Sequence, residues 1–180
     1  MNEFNIINSY LKNLSSNNKG AFNLTDDIFF DTKKNIAISI DTYVEGIHFL
    51  DSKRPHKFLK KVLRASLSDL YCKGIKPNLY FMSLAMNKKN TNKKWLIKFN
   101  SILRKEQKKF NITLCGGDIT YSSKFVITIV VLGYSNTKPI LRSTSQINDD
   151  IYVTGNIGDS YLGLKVISKK KNFGKFNNFF

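Results

Sequence analysis

Hydrophobic and polar residues along this 180-residue chain repeat with two different periods, and each period predicts a different kind of element. Apolar side chains that recur every three or four residues predict helices at residues 2–14, from Pro55 to a turn at Gly74, and at 95–110. Alternation with period two, or a short continuous apolar run, predicts strands at residues 36–42, 79–86, 112–115 and 124–134. A short strand at 150–155 and a helix that continues to about Lys169 are predicted next. This order of elements places the chain in a mixed class of helices and strands.

The strand at residues 36–42 has two faces of different chemistry. Ile36, Ile38 and Ile40 share one face, while Ser39 and Asp41 place two oxygen-bearing side chains on the other. In one interpretation the isoleucines face the core and the polar pair faces solvent. In the other, a cation meets the carboxylate near the strand end and compensates its charge. The residue pattern leaves both interpretations open.

The composition is that of a chain able to form a core, with 42% hydrophobic and 23% charged residues. No apolar run of about 18 residues occurs, which excludes a transmembrane helix. The N-terminus lacks the basic start, apolar stretch and cleavage site of a secretory signal. Cys72 and Cys115 show neither the spacing of a zinc site nor the number expected of a disulfide framework. We therefore expect a reduced, cytoplasmic protein.

The formal net charge of +16 has two explanations. An anionic partner, such as a nucleic acid or a nucleotide, would select for basic residues. A coding sequence rich in A and T would also raise the number of lysines, together with the Asn, Ile and Phe that surround them in segments such as KKNTNKKWLIKFN. The lysines are spread over many segments rather than confined to one, which favours the compositional explanation.

Asp27, Asp69 and Asp118 stand near the predicted ends of elements. Asp27 belongs to an acidic pair before an apolar run, which is also typical of a turn or a helix N-cap. Asp69 lies in the last turn of its helix, where the helix dipole disfavours a negative charge. It therefore needs a cation, either Lys73 four residues later or a divalent ion. Asp118 follows two glycines in CGGD, which is typical of a tight turn or of close approach of the backbone to a ligand.

Together, Asp27, Ser39, Asp41, Asp69 and Asp118 provide five oxygen-bearing side chains in a chain that has only 13 acidic residues. Magnesium prefers oxygen ligands and is commonly held by carboxylates together with substrate phosphates. Neither a Walker lysine loop nor a kinase-type glycine-rich loop occurs in the sequence. The sequence therefore predicts phosphate chemistry that depends on metal ions held by aspartates.

Five stretches of the sequence resemble the thiamine-monophosphate kinase family, in the superfamily that includes aminoimidazole-ribonucleotide synthetase. They follow the family's order over most of residues 20–165: TDDIFF (25–30), SIDTYVEGIHFL (39–50), LRASLSDLYCKGIKP (63–77), CGGDIT (115–120) and ILRSTSQINDDIYVTGNIGDSYLGL (140–164). The segment DTYVEGIHF is the most specific. Three positions depart from the family: Thr25 replaces a glycine, Ile40 stands where threonine is common, and CGGDIT lacks the Arg-Gly that usually follows.

The resemblance implies an α+β fold, with a mixed sheet of mostly antiparallel strands flanked by helices. It implies transfer of the γ-phosphoryl group of ATP to thiamine monophosphate, with several Mg²⁺ ions as cofactors. The implied metal ligands are Asp27, Ser39, Asp41, Asp69 and Asp118, the implied ATP contacts are Gly117, Asp118 and Arg142, and the implied substrate contact is His48. No catalytic base is implied, because the acceptor phosphate is largely ionised near neutral pH. The family is a homodimer joined through its N-terminal domains.

The same resemblance divides the chain at residue 148. Residues 1–148 correspond to an N-terminal ATP- and metal-binding domain, and residues 149–180 to the beginning of a C-terminal domain that is mostly absent. We therefore expect weak or no kinase activity from the 180-residue chain alone. Two alternatives stay open: another ATP-using enzyme of the same superfamily, and a non-catalytic basic domain that binds nucleic acid. The second is the weaker, because no known nucleic-acid-binding motif occurs.

Overall fold

The structure, a computed structural model, describes residues 1–88, 90–168, 172 and 174. Its centre is a five-stranded sheet in the order β1-β2-β5-β3-β4. The strands are β1 (Phe29–Asp31), β2 (Ile36–Val44), β3 (Pro77–Met86), β4 (Thr113–Tyr121) and β5 (Val126–Tyr134). All neighbouring pairs are antiparallel except β3 and β4, which run parallel. The mixed, mostly antiparallel sheet expected for this chain is confirmed.

The α-helices of the described residues are α1 (Glu3–Ile6), α2 (Pro55–Tyr71), α3 (Lys93–Phe110) and α4 (Asp159–Ile167). Irregular turns of π or 3-10 type occupy Ile7–Leu11, Lys12–Ser15, Lys19–Leu24 and Arg142–Thr144. Gly74, with φ of 73°, adopts the left-handed conformation that ends α2 as the sequence predicts. No helix in the described part of the chain combines the length and the apolar character needed to cross a bilayer.

Helices α2 and α3 cover one face of the sheet and form the core with it. Fully buried side chains from α2 and β5 meet there, including Leu59, Val62, Leu63, Ile127, Ile129 and Val131. Strand β2 turns Ala37, Ser39 and Tyr43 toward the same face, whereas Ile40 is 65% exposed on the other. The interpretation that buried the isoleucines is therefore wrong. The Ser39–Asp41 face is the one that packs against α2.

Several sequence predictions differ from the structure. Residues 2–14 are helical, but as a succession of short turns whose apolar side chains stay exposed, Phe4 to 64% and Leu14 to 82%. No strand forms at residues 150–155, because this segment has no hydrogen-bonded neighbour among the described residues, and Ile151 is 92% exposed. Strand β4 does not end before Asp118 but continues to Tyr121. Strand β1 has only three residues, which is too short for a periodic signal.

The chain divides into two compact units, Met1–Thr144 and Ser145–Phe180. The first contains the whole sheet, α2, α3 and every predicted metal ligand, and the second contains α4. The functional assignment of residues 1–148 and 149–180 to two domains stays a prediction. The predicted end of the last helix near Lys169 lies outside the described residues, which beyond Ser168 include only Asn172 and Gly174.

Candidate functional site

Strand β2 and helix α2 bring three of the predicted ligands together on the helix-covered face of the sheet. Ser39, which is 3% exposed, donates a hydrogen bond from Oγ to Oδ2 of Asp69 at 2.6 Å. Asp41 lies two residues along the same strand face and interacts with Asp69 through its side chain. The Tyr43 hydroxyl donates to Oδ2 of Asp41 at 2.8 Å and lies 3.1 Å from Oγ of Ser66. One strand face and one helix turn therefore hold two carboxylates in a hydrogen-bonded row.

These carboxylates repel one another. Burial is the largest cause that raises the pKa of Asp69 to about 6, and the charges of Asp41 and Asp27 raise it further, against the hydrogen bond from Ser39. Burial and the contact with Asp41 also raise the pKa of Tyr43, which keeps its hydroxyl protonated as a donor. A positive charge beside the carboxylates would relieve this repulsion and lower the pKa of Asp69. The local electrostatics therefore favour a bound cation.

The turn before β1 adds an acidic pair that two basic side chains hold. Nζ of Lys73 lies 2.8 Å from Oδ1 of Asp26 and 3.9 Å from Oδ2 of Asp27. The Arg142 guanidinium pairs with Oδ1 of Asp27, and the Arg142 backbone N–H donates to Oδ2 of Asp26 at 3.1 Å. The Asp26 side chain is 5% exposed and that of Asp27 is 32% exposed. Asp26 is therefore the internal anion of the turn, and Asp27 is the carboxylate that a ligand can reach.

Lys73 does not pair with Asp69, as the sequence had allowed, but with the acidic pair. Its position lies beyond the last residue of α2, Tyr71, so its side chain no longer follows the helical spacing that would place it over Asp69. Burial raises the pKa of Asp26, but the hydrogen bonds from Lys73 and from the Arg142 backbone outweigh it, so the pKa of Asp26 lies below its usual value. No signal in the sequence links Lys73 to Asp26, because tertiary packing alone brings them together.

The loop between β2 and α2 presents His48 at the surface. The Val44 backbone N–H donates to Nδ1 of His48 at 3.0 Å. The neutral imidazole therefore carries its proton on Nε2, which can donate to a ligand. His48 also lies edge-on to the Tyr43 ring, with 5.7 Å between the ring centroids. The predicted substrate contact thus adjoins the carboxylate row through Tyr43.

Glu45 fixes the loop that carries His48, a role that could not be derived from the sequence. Its Oε1 accepts hydrogen bonds from the backbone N–H and the hydroxyl of Ser52, both at 2.9 Å. Its Oε2 accepts from the backbone N–H of Phe125 at 3.1 Å and from Nδ2 of Asn87 at 3.3 Å. The available signal was the presence of a carboxylate in an otherwise apolar run, which requires donors around it.

Asp118 lies away from these carboxylates. In the register of the sheet Asp118 lies opposite Ser83 of β3, and its strand, β4, is three positions from β2. Because Ser83 alternates with the buried Met82 and Leu84, this register places Asp118 on the face opposite the helices. A glycine is required at position 117 because a Cβ atom there would overlap the carbonyl oxygen of Met82 on the neighbouring strand. Within this chain Asp118 does not join the other four side chains, and its role as a metal ligand stays a prediction.

The donor set determines which metal could bind. Across residues 1–88, 90–168, 172 and 174, no three His, Cys, Asp or Glu side chains form a group that could hold a metal ion. The oxygens of Ser39, Asp41 and Asp69 are nevertheless of the hard type that Mg²⁺ prefers. Mg²⁺ usually takes one or two carboxylates and completes its shell with water and substrate phosphates. The residues therefore fit a Mg²⁺ ion that shares phosphate ligands, rather than one enclosed by protein alone.

Comparison with known proteins assigns this chain to a family. Residues 21–135 match the family described as AIR synthase related protein, N-terminal domain. Thiamine-monophosphate kinase of Buchnera aphidicola (subsp. Schizaphis graminum) is 37% identical over 174 residues, which cover 94% of this chain and 53% of that protein. The Bacillus subtilis protein of the same name is 30% identical, over 96% of this chain and 54% of that protein. The chain spans about half the length of the curated relatives it matches.

Solved structures agree with this assignment at the level of the fold. The structure of AaThiL complexed with AMPPCP and TMP has a TM-score of 0.82 at 24% identity, and the match covers 98% of this chain and 56% of that chain. The family match at residues 21–135 includes all five strands, α2, α3 and every residue of the carboxylate row. This chain therefore belongs to the AIR synthase related family through its N-terminal domain, and its curated relatives in that family are thiamine-monophosphate kinases.

Proposed function

We propose that this chain is the nucleotide- and magnesium-binding part of a cytoplasmic thiamine-monophosphate kinase. The proposed reaction transfers the γ-phosphoryl group of ATP to the phosphate of thiamine monophosphate, which forms thiamine diphosphate. The observation that carries the proposal is the hydrogen-bonded row of Ser39, Asp69 and Asp41, with Asp27 beside it. The substrates come from the names of the curated relatives, and the likeness to a structure that contains AMPPCP and TMP is in keeping with them.

In this proposal the acidic residues hold the Mg²⁺ ions that phosphoryl transfer needs. Transfer between two phosphates is opposed by the repulsion of two polyanions, and bound Mg²⁺ supplies the charge neutralisation and alignment that this reaction needs. Asp41, Asp69 and the Ser39 hydroxyl are the proposed ligands on the sheet side, and Asp27 is the proposed ligand on the turn before β1. Asp118 is proposed as a further ligand that also contacts ATP, together with Gly117. No protein base is needed, because the acceptor oxygen is already ionised near neutral pH.

Arg142 and Asp27 have linked roles in this proposal. They pair with each other in the structure, so each charge is compensated. When nucleotide and metal bind, the guanidinium can move to a phosphate while the carboxylate accepts a cation. Neither group loses an ionic partner in this exchange, and Arg142 can contact two phosphate oxygens at once. The pair therefore couples nucleotide binding to metal binding.

His48 and the sheet surface complete the proposal. His48 is the proposed contact to thiamine monophosphate, through Nε2–H on the loop that Glu45 anchors. A homodimer is proposed through the outer face of the sheet, where Ile40 and Phe81 are 65% and 38% exposed. Because the chain spans about half the length of its curated relatives, we expect the 180-residue chain to bind ATP but to turn over weakly.

Isothermal titration calorimetry with ATP tests the proposal. We expect binding that requires Mg²⁺ and that falls at least about tenfold in Asp41→Ala and in Asp69→Ala, because each substitution removes a charged metal ligand. Asp51→Ala is the matched control, since Asp51 is an exposed aspartate in the loop before α2. Thiamine monophosphate is then titrated into the complex with Mg²⁺ and a non-hydrolysable ATP analogue.

Each outcome separates the candidate functions. ATP binding that survives EDTA and both substitutions would reject the metal site. ATP binding without any binding of thiamine monophosphate would favour another enzyme of the same superfamily. Loss of ATP binding in Asp51→Ala as well would show a general loss of folding, which far-UV circular dichroism of each variant checks independently.

A further inference from the structure

A concave surface lies at the opposite end of α2 from Asp69. The first turns of α2 and α3, with the residues before them, line a groove of about 740 Å³. Its walls include five basic or titratable side chains, Lys53, Arg54, His56, Lys94 and Lys98, and the described residues that line it include no acid. Pro55 and Asp69 stand about 21 Å apart along the axis of α2 at 1.5 Å per residue, so this basic groove is distinct from the carboxylate site.

The charges around the basic groove oppose the helix dipoles. A helix N-terminus favours aspartate or glutamate and disfavours basic residues. Neither α2 nor α3 has an acid in its first turn, and Lys93 and Lys94 occupy the first two positions of α3. Arg54 is the N-cap residue of α2, and its side chain makes no capping hydrogen bond. This arrangement costs stability in the absence of an anion, and such a local conflict is typical of a functional surface.

The four basic side chains of Lys53, Arg54, Lys94 and Lys98 form no ion pair within the described part of the chain. The acid nearest to them in sequence is Asp51, and its Oδ1 accepts from the backbone N–H of Lys53 at 2.9 Å, not from the ammonium group. Their positive charge is therefore available to a ligand.

Packing holds the walls of the basic groove in place. Trp95 is 4% exposed, and its Nε1 donates to the carbonyl oxygen of Ser52 at 2.7 Å, which ties α3 to the segment just before Lys53. Asn92 caps α3 by accepting the Trp95 backbone N–H at 2.9 Å. Pro55 fixes the first turn of α2. A ligand would thus meet a preformed site, which lowers the entropic cost of binding.

We propose that the basic groove binds a small anion that carries two or more phosphate groups. Four Lys and Arg side chains around one concavity match the charge of a short polyphosphate chain, and the first-turn N–H groups of α2 add donors that an anion can accept. Arg54 can bind phosphate oxygens in pairs. The volume falls within the range of roughly 300–1,000 Å³ that small-molecule sites occupy. This site goes beyond the proposed kinase reaction and uses none of its metal ligands.

Calorimetric titration of inorganic tripolyphosphate into the full chain tests this proposal. EDTA is present throughout, so the result does not depend on the magnesium site and its failure is distinguishable from failure of the kinase proposal. The test variant is K94E/K98E, which reverses two charges in the basic groove. The matched control is K105E/K108E, which makes the same change in net charge on exposed positions farther along α3. A single-stranded DNA oligonucleotide serves as a second titrant.

We expect binding of one tripolyphosphate per chain, a loss of at least about tenfold in K94E/K98E, and a change below about threefold in K105E/K108E. The Tm of K94E/K98E should equal or exceed that of the wild type, because a glutamate in the first turn of α3 suits the helix dipole. Equal losses in both variants, or no binding by the wild type, would overturn the proposal. So would tighter binding of the oligonucleotide with equal sensitivity to both variants, since that would indicate diffuse attraction to nucleic acid.

Discussion

Lys73 and Asp26 form an ion pair in which both side chains are almost completely buried, at 4% and 5% exposure. Such a pair adds little net stability by itself, because desolvation offsets the attraction between the charges. Its effect is positional, since it fixes the acidic turn and leaves Asp27 as the carboxylate that a ligand can reach. Removal of one partner alone would leave an uncompensated buried charge.

Lys73→Met should therefore destabilise the protein by about 3–5 kcal/mol. Urea unfolding followed by circular dichroism measures this change. The double variant Lys73→Met with Asp26→Asn should recover most of the loss, because it removes both charges together. A single variant as stable as the wild type would show that the ion pair does not fix the turn. Lys57→Met, on the exposed face of α2, is the control and should change stability little.

Asp69 connects the electrostatics of the site to pH. Its folded-state pKa of about 6 lies above the ordinary value of 3.8, so the folded protein binds more protons than the unfolded chain between these values. The contribution of Asp69 to stability therefore falls as pH rises through this window and stays unfavourable above about pH 6. The groups that face it are Asp41, Asp27 and the Ser39 hydroxyl.

Asp69→Asn should then stabilise the metal-free protein at neutral pH. The gain should vanish near pH 4, where Asp69 of the folded wild type is protonated and is therefore uncharged, like the asparagine of the variant. The amide oxygen can still accept the hydrogen bond from Ser39. Thermal unfolding in EDTA across this pH range measures the difference. Added Mg²⁺ should raise the Tm of the wild type more than that of the variant, since only the wild type keeps the ligand. A variant less stable than the wild type at neutral pH would contradict the assignment.

The β2–α2 loop depends on Glu45 for its conformation. The carboxylate accepts from Ser52 on one oxygen and from Phe125 and Asn87 on the other, and so joins this loop to the start of β5 and the end of β3. An amide in its place turns one acceptor into a donor that faces other donors. The loop would lose its anchor although the side-chain shape is almost unchanged.

Glu45→Gln should cost about 1–3 kcal/mol through donors left without an acceptor. Hydrogen exchange should show faster exchange at the amides of residues 46–52, while the amides of α3 keep their protection. Asp51→Asn is the control within the same loop. Unchanged exchange in Glu45→Gln would mean that the apolar contacts of Phe49 hold the loop without the carboxylate.

Helices α2 and α3 could be predicted from the sequence because their apolar stripes face a sheet that completes the core. The strand predicted at residues 150–155 could not be excluded in the same way. Its short apolar run, Ile151 to Val153, is typical of a strand, but a strand also needs a neighbour with a free edge, and that depends on the fold. The N-terminal stripe at residues 2–14 has the same limitation, since a helical pattern does not reveal what covers it.

The carboxylate row could be predicted in part. Ser39 and Asp41 share a strand face, and Asp69 stands where the helix dipole disfavours it, so each carried a local signal. The separation of Asp118 from them could not be predicted, because it follows from the strand order β2-β5-β3-β4. The orientation of β2 was likewise beyond sequence reasoning, since either of its faces could have packed against α2.

The outer face of the sheet exposes apolar side chains and is the surface proposed to bind a partner. Ile40 and Phe81, on the two sides of β5, are 65% and 38% exposed there, and the Thr42 and Thr128 hydroxyls lie 2.9 Å apart on the same face. Apolar side chains spread across neighbouring strands are typical of a surface that another protein covers. Because the family resemblance implies a dimer of N-terminal domains, a second copy of the chain is the proposed occupant.

Ile40→Asp should convert this dimer to a monomer, because it places a charge in a desolvated contact that a two-fold axis repeats on the partner. Sedimentation velocity over a range of protein concentrations measures the change, with the wild type near twice the mass of the variant at the same concentration. Ile97→Asp is the matched control: Ile97 is an isoleucine of similar exposure, 59%, on α3 and therefore on the helix side of the sheet. A monomeric wild type, or equal dissociation in both variants, would remove the outer face as the dimer interface. A dimer lost only in Ile40→Asp would place the two-fold axis against β2, on the opposite side of the sheet from the carboxylate row.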